Sequence, residues 1–229
     1  QAMNQSLIQN VVCDVQDHPV RAQDQDGAPS AKSDYSYLTG WYCPESHDCA
    51  RGTAKCKPFM AFRGTNNMEN WLTNNLSLCN MRATRARMAS GMYPADPGDS
   101  SVPKVADGFW NGGKSWCNTE DPGPGYTDIR PAVQDFIEEN RDQDILFLGH
   151  SLGGAFATFA AADAAYSAKP PKSVSSVTYN PPRSVNDVII DKIEGMEGTG
   201  THAMIINDKD IVHLVPPAEP SQTRHLGDV

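Results

Sequence analysis

Apolar and polar positions along this chain fall into a recurring order: a short apolar run, a break, then a segment with helical spacing. The clearest case is Ile145-Leu146-Phe147-Leu148, followed by Ala155-Phe156-Ala157-Thr158-Phe159-Ala160-Ala161-Ala162, a stretch of good helix formers. Just before it, Ile129, Val133, Phe136 and Ile137 share one helical face, with Thr127 or Asp128 as cap and Pro131 in the first turn. Just after it, residues 174–179, rich in Val, Thr and Ser, predict a strand. Ser184 and Asp187 then resemble a capping box opening a helix, with Val185, Val188, Ile189 and Ile193 inward and Gly195 as its stop. Residues 201–206 predict a last strand.

The N-terminal part is less regular. Residues 3–15 predict a helix, and polar, loop-rich sequence follows until the first clear strand, Pro58-Phe59-Met60-Ala61-Phe62. Residues 81–126 carry many Gly, Pro, Asp and Ser residues and predict long loops. Strands alternating with helices predict an α/β fold with a largely parallel central sheet flanked by helices. A length of 229 residues suits one domain, residues 1–229, with a single substantial core.

Composition narrows the function classes. A hydrophobic fraction of 39% and a charged fraction of 21% are ordinary for a globular protein. No apolar run approaches the ~20 residues of a membrane-spanning helix, so no transmembrane segment is expected. A net charge of −9 argues against nucleic acid as a partner, because that binding rests on Lys and Arg neutralising phosphates. A monomer is the expected state.

The cysteines add a compartment. Cys13, Cys43, Cys49, Cys56, Cys79 and Cys117 are even in number, and Cys43, Cys49 and Cys56 lie where a short-range bridge forms easily. No Cys-x2-Cys pair supports a zinc site, so disulfides are expected, without a choice of pairing, and with them an oxidising, extracellular location. The sequons Asn4-Gln5-Ser6 and Asn75-Leu76-Ser77 agree with secretion.

The candidate chemistry lies in Gly149-His150-Ser151-Leu152-Gly153-Gly154. Strand, Gly-x-Ser-x-Gly, then helix is the setting of a nucleophile elbow, as in the α/β-hydrolase fold. The turn is sharp enough that Gly149 and Gly153 must lack side chains. A serine is a weak nucleophile until a base takes its proton, and that base needs a carboxylate to orient it. The expected chain order is Ser, acid, His. Asp210, just past the strand ending at Ile206, is the preferred acid, with Asp208, Asp187 and Asp163 as alternatives. Of the six histidines, His18, His47, His150, His202, His213 and His225, only His213 and His225 follow Asp210. His213 is too close to the acid along the chain to reach the serine as well, so His225 is the candidate base, against a purely structural histidine near the chain end.

The oxyanion needs donors. The N–H of Leu152, next after the nucleophile, is one, and Thr65 in Phe62-Arg63-Gly64-Thr65 is the other candidate. Met68, Trp71 and Leu72 share a face at helical spacing beside it, as core packing or as a lid over an acyl-binding site.

These motifs resemble the class 3 lipase family, which includes secreted fungal triacylglycerol lipases, feruloyl esterases and phospholipases A1. The resemblance covers residues 58–225 and rests on Phe62-Arg63-Gly64-Thr65, Asp107-Gly108-Phe109, the nucleophile motif, Pro182-Arg183, and Asn207-Asp208-Lys209-Asp210-Ile211-Val212 with Pro216-Pro217. Ala106 and Asp107 depart from the usual residues of the second motif. It implies Ser151 as nucleophile, Asp210 as acid, and Thr65 and Leu152 as oxyanion donors. In many members a His-x-Gly like His225-Leu226-Gly227 is not catalytic, and the catalytic histidine comes several tens of residues later. Three expectations follow: His225 has taken over the role, a C-terminal segment is missing, or the protein is a non-catalytic relative.

The resemblance implies a triacylglycerol lipase acting through an acyl-serine intermediate on lipid esters at a lipid–water interface, needing neither metal nor organic cofactor. A phospholipase A1 or feruloyl-type esterase is the enzymatic alternative. A lipase-like binding protein is the alternative of another class.

Overall fold

The computed structural model of the protein describes residues 11–20, 35–43, 56–64, 83–85, 102–111, 125–215 and 224–227. Its strands are β1 (Val11–Val20), β2 (Tyr35–Cys43), β3 (Lys57–Phe62), β4 (Ala83–Arg85), β5 (Lys104–Ala106), β6 (Asp144–His150), β7 (Ser173–Tyr179) and β8 (Thr199–Ile205). Its α-helices are α1 (Asp107–Trp110), α2 (Tyr126–Glu139), α3 (Leu152–Ala165) and α4 (Asp187–Glu194). One sheet runs β1-β2-β3-β6-β7-β8, and β4 pairs with β5 separately. From β3 to β8 the neighbours are parallel, as expected of strands joined by helices, whereas β1-β2-β3 are antiparallel.

The expected N-terminal helix is corrected over its described part. Val11 to Val15 belong to β1, which pairs with β2 in an antiparallel ladder. Branched Val11, Val12, Val15 and Val20 suit a pleated ribbon better than a helix. The ladder is reinforced across the strands, where His18 faces Tyr37 with ring centroids 4.7 Å apart. A disulfide joins Cys43, ending β2, to Cys56, just before β3. β2 itself replaces part of the loop expected before Pro58, and β4, β5 and α1 interrupt the long loop expected over residues 81–126.

The central helix, α3, is buried along its whole length. That suits a helix apolar on almost every side, in which Thr158 and Asp163 are the polar exceptions and both are hydrogen-bonded. It packs on β6 and β7 and against α2 and α4. Phe156 and Phe159 of α3 meet Tyr126 of α2, and Trp110 of α1 stands edge-on to Phe159 at 5.1 Å.

Two caps differ from expectation. Helix α2 starts after Gly125, whose N–H donates to Asp128 Oδ2 at 2.9 Å, so Asp128 acts from the first turn rather than as the cap. Its expected apolar face, Ile129, Val133, Phe136 and Ile137, is buried. Helix α4 is capped by Asn186, not opened by Ser184. The Ser184 carbonyl instead accepts the N–H of Ala106, and Val185 bridges to Val105. Ile189, Ile190 and Ile193 form its inward face, with Val188 only half-buried.

A buried charge cluster ties α2 to α3. Arg130 donates Nε to Asp163 Oδ2 at 2.8 Å and an NH group to Oδ1 at 2.7 Å, while the Tyr126 hydroxyl donates to Oδ2 at 2.9 Å. The Arg130 guanidinium also lies 5.0 Å from the centre of the Trp110 ring. Burial raises the Asp163 carboxyl above its ordinary range, while Arg130 and Tyr126 pull it down. The Tyr126 phenol is pushed well up, first by burial and then by Asp163.

Candidate active site

Strand β6 delivers the chain to a turn at which Ser151 takes φ 54°, a left-handed value outside the usual range for a residue with a side chain. Glycines make that turn possible. A Cβ on Gly149 would lie 2.0 Å from the Gly153 carbonyl oxygen, and one on Gly153 would lie 2.1 Å from that of Phe62. The Ser151 N–H donates to the Tyr179 carbonyl at 2.9 Å, and its own carbonyl accepts the N–H of Gly154 at 2.8 Å. Ser151 is half-buried. It caps α3, so the partial positive charge of a helix N-terminus faces it. Leu152 is the first helical residue, and the N–H of such a residue has no acceptor within its helix.

Parallel pairing brings the C-terminal ends of four strands to one rim. Phe62 pairs with Gly149, His150 with Tyr179, and Tyr179 with Ile205. The chain leaving β3 presses against the elbow: a Cβ on Gly64 would lie 2.8 Å from the His150 carbonyl oxygen and 3.4 Å from Ser151 Cβ. Thr65 follows it in sequence but lies outside the described residues, as do Met68, Trp71, Leu72 and the Pro216-Pro217 pair.

Asp210 reaches the same rim from the loop after β8. Its Oδ1 accepts the N–H of Val212 and its Oδ2 accepts Asn180 Nδ2, both at 2.9 Å. Asn180, directly after β7, has φ 42°, and its Oδ1 accepts the N–H of Asn207 at 2.7 Å. Of the alternative acids, Asp163, on α3, is engaged by Arg130 and Tyr126 of α2, and Asp187 sits in the first turn of α4. Asp208 precedes Asp210 in the same loop.

The two downstream histidines meet each other. His225 Nε2 lies 2.9 Å from the His213 carbonyl oxygen. The His213 ring is half-buried, and its Nδ1 has no hydrogen-bond partner among the described residues. Arg183, from the Pro-Arg motif, donates to the Leu214 carbonyl at 2.5 Å and so fastens the segment that carries His213. Around the rim Tyr179, Ile205, Ile206, Ile211 and Leu214 are exposed.

Asn180 lies just outside the motifs that point to chemistry, although it carries one signal of its own. An Asn at a strand end tolerates a left-handed backbone and carries both a donor and an acceptor.

Comparison with known proteins bears on the fold and the family. The chain is 28% identical over 196 residues to a protein named phospholipase A(1) DAD1, chloroplastic, from Arabidopsis thaliana, covering 82% of this chain and 40% of that one. It thus spans less than half the length of that curated relative. A triacylglycerol lipase structure from Penicillium expansum matches with a TM-score of 0.57 at 18% identity, covering 94% of this chain and 69% of the other. A Rhizomucor miehei triacylglyceride lipase matches with a TM-score of 0.50 at 20% identity, covering 81% and 57%. At such identities the structures carry the fold, that of an α/β hydrolase. The family model described as lipase (class 3) matches residues 59–219, well over half of the sequence, and the chain belongs to that family.

Proposed function

We propose that the protein hydrolyses carboxylic esters of lipids through an acyl-serine intermediate, with triacylglycerols as the preferred class. The observation that carries this reading is Ser151, held at φ 54° between a parallel strand and a helix N-terminus, with the Asp210 loop at the same rim. Ser151 Oγ attacks the ester carbonyl as a histidine takes its proton, and the oxyanion is met by the Leu152 N–H and by Thr65. Collapse of that intermediate expels the alcohol, which receives the proton. Water, deprotonated by the same base, then releases the fatty acid and restores the serine.

Asp210 is the acid and His225 the base in this reading. His225 must turn its Nε2 from the His213 carbonyl to serve, and His225→Ala then removes most of the ester turnover while leaving the fold intact. A rate unchanged by that substitution assigns His225 a structural role. The exposed apolar rim, Tyr179, Ile205 and Ile211, supports an apolar substrate. Met68, Trp71 and Leu72 are assigned to the acyl-binding or lid segment on the family resemblance.

A phospholipase A1 activity is the second reading, favoured by the printed name of the Arabidopsis relative. A substrate panel separates the two: tributyrin emulsion, phosphatidylcholine vesicles and a soluble feruloyl ester, each with Ser151→Ala as control. Fastest release from the emulsion supports the first reading; fastest release from the vesicles supports the second. Cleavage of soluble esters alone overturns both. Secretion is proposed from the Cys43–Cys56 disulfide, a bond that persists in oxidising compartments.

A further inference from the structure

We propose that Asn180 is a positioning residue for the acid, holding the Asp210 carboxylate in register with the nucleophile elbow. The inference rests on Asp210 as the acid of the ester hydrolase proposed above.

Asn180 stands where three segments of the rim converge. The residue before it, Tyr179, accepts the Ser151 N–H at 2.9 Å, so the backbone entering Asn180 is fastened to the nucleophile. Its own N–H donates to the Ile205 carbonyl at 2.9 Å, which ties it to the end of β8. Its side chain then spans the acid loop, with Oδ1 accepting from Asn207 at 2.7 Å and Nδ2 donating to Asp210 Oδ2 at 2.9 Å. Asp210 is also braced from its other side by the Val212 N–H at 2.9 Å on Oδ1. One side chain thereby links the strand end bonded to Ser151 with the carboxylate that must orient the base.

The backbone favours this reading over an incidental contact. At φ 42° Asn180 lies in the left-handed region that glycine occupies most readily, and it is 8% exposed. Local backbone geometry therefore favours glycine, while the amide supplies both hydrogen bonds. Both of its functional atoms are engaged within the loop that carries Asp210.

The test separates side chain from backbone. Asn180→Gly suits the observed φ and deletes only the amide, so the variant folds. Hydrogen bonds to charged groups and catalytic placement set the scale of the loss: kcat for p-nitrophenyl butyrate falls on the order of 10- to 100-fold, with KM little changed. Asn180→Asp is nearly the same shape but sets a second carboxylate against Asp210. Assayed at about pH 8, where carboxylates are ordinarily ionised, it is more damaging than the glycine variant. A structural role alone lowers the urea midpoint of both variants while leaving kcat of the folded protein near the wild-type value, and that pattern overturns the proposal. A crystal structure of the Asn180→Gly protein supplies a readout independent of turnover. The Asp210 carboxylate leaves its present orientation if Asn180 holds it, and an unmoved carboxylate overturns the proposal. Wild-type protein no more active than Ser151→Ala would sink the ester-hydrolase reading instead, and the crystallographic result would still decide whether Asn180 positions Asp210.

Discussion

Gly153, on the first turn of α3, lies against the Phe62 carbonyl at the end of β3 so closely that a Cβ on it would sit 2.1 Å from that oxygen. This contact holds the segment proposed to supply the second oxyanion donor against the elbow that presents the serine. Gly153→Ala must separate the two, because the obstacle is backbone rather than a flexible side-chain tip. A loss of about 1–3 kcal/mol in stability is expected from the overpacking, together with a fall in ester turnover. Urea denaturation and initial rates measure the two effects, and an alanine variant with unchanged midpoint and rate contradicts the packing described.

Asp163 supports the fold rather than the chemistry. Its side chain is 1% exposed and meets Arg130 in a bidentate pair, so Asp163→Ala leaves a guanidinium unpaired between α2 and α3. Breaking such a pair from one side costs about 3–5 kcal/mol. Chemical denaturation checks this, and a cost below about 1 kcal/mol would show that the pair adds little.

His202 gives stability a pH dependence. On β8 its ring is bonded to Ser176 at 2.9 Å and Thr199 at 3.2 Å. Burial lowers its pKa from the ordinary value of 6.5, with Glu194 opposing. In the unfolded chain the imidazole takes up a proton as the pH falls through 6.5, while in the folded protein it resists until lower pH. This residue's contribution is therefore nil above that value and increasingly destabilising below it. Urea midpoints between about pH 7 and pH 5 should fall less steeply in His202→Gln than in the parent protein. Equal slopes would assign the acid sensitivity elsewhere.

The legible parts of this fold are those whose causes lie close together in the chain. Gly149, Ser151 and Gly153 with their apolar flanks announce the elbow, and Ile129, Val133, Phe136 and Ile137 announce the buried face of α2. β1 and β2 were not legible because they stabilise each other across a gap in sequence. Tyr37, Trp41 and Tyr42 are interspersed with Ser36, Thr39 and Gly40 without strict alternation, in a half-exposed ribbon that reads as polar loop until its partners are known. Asn180 is illegible for the same reason, since its side-chain partners lie 27 and 30 residues away. The place of Asp210 at the rim follows from its position just past β8, whereas the direction of the His225 ring, toward a backbone carbonyl, has no signal in the sequence.

The most direct test of the central claim is covalent trapping of the nucleophile. The native chain is incubated with an alkyl phosphonate, the adduct is located by peptide mass analysis, and Ser151→Ala is the control. An activated serine gives one phosphonyl adduct, on Ser151, at a rate far above that of other hydroxyls, and none in the variant. An unlabelled Ser151 in correctly folded protein would contradict the account and point to a lipase fold used for binding.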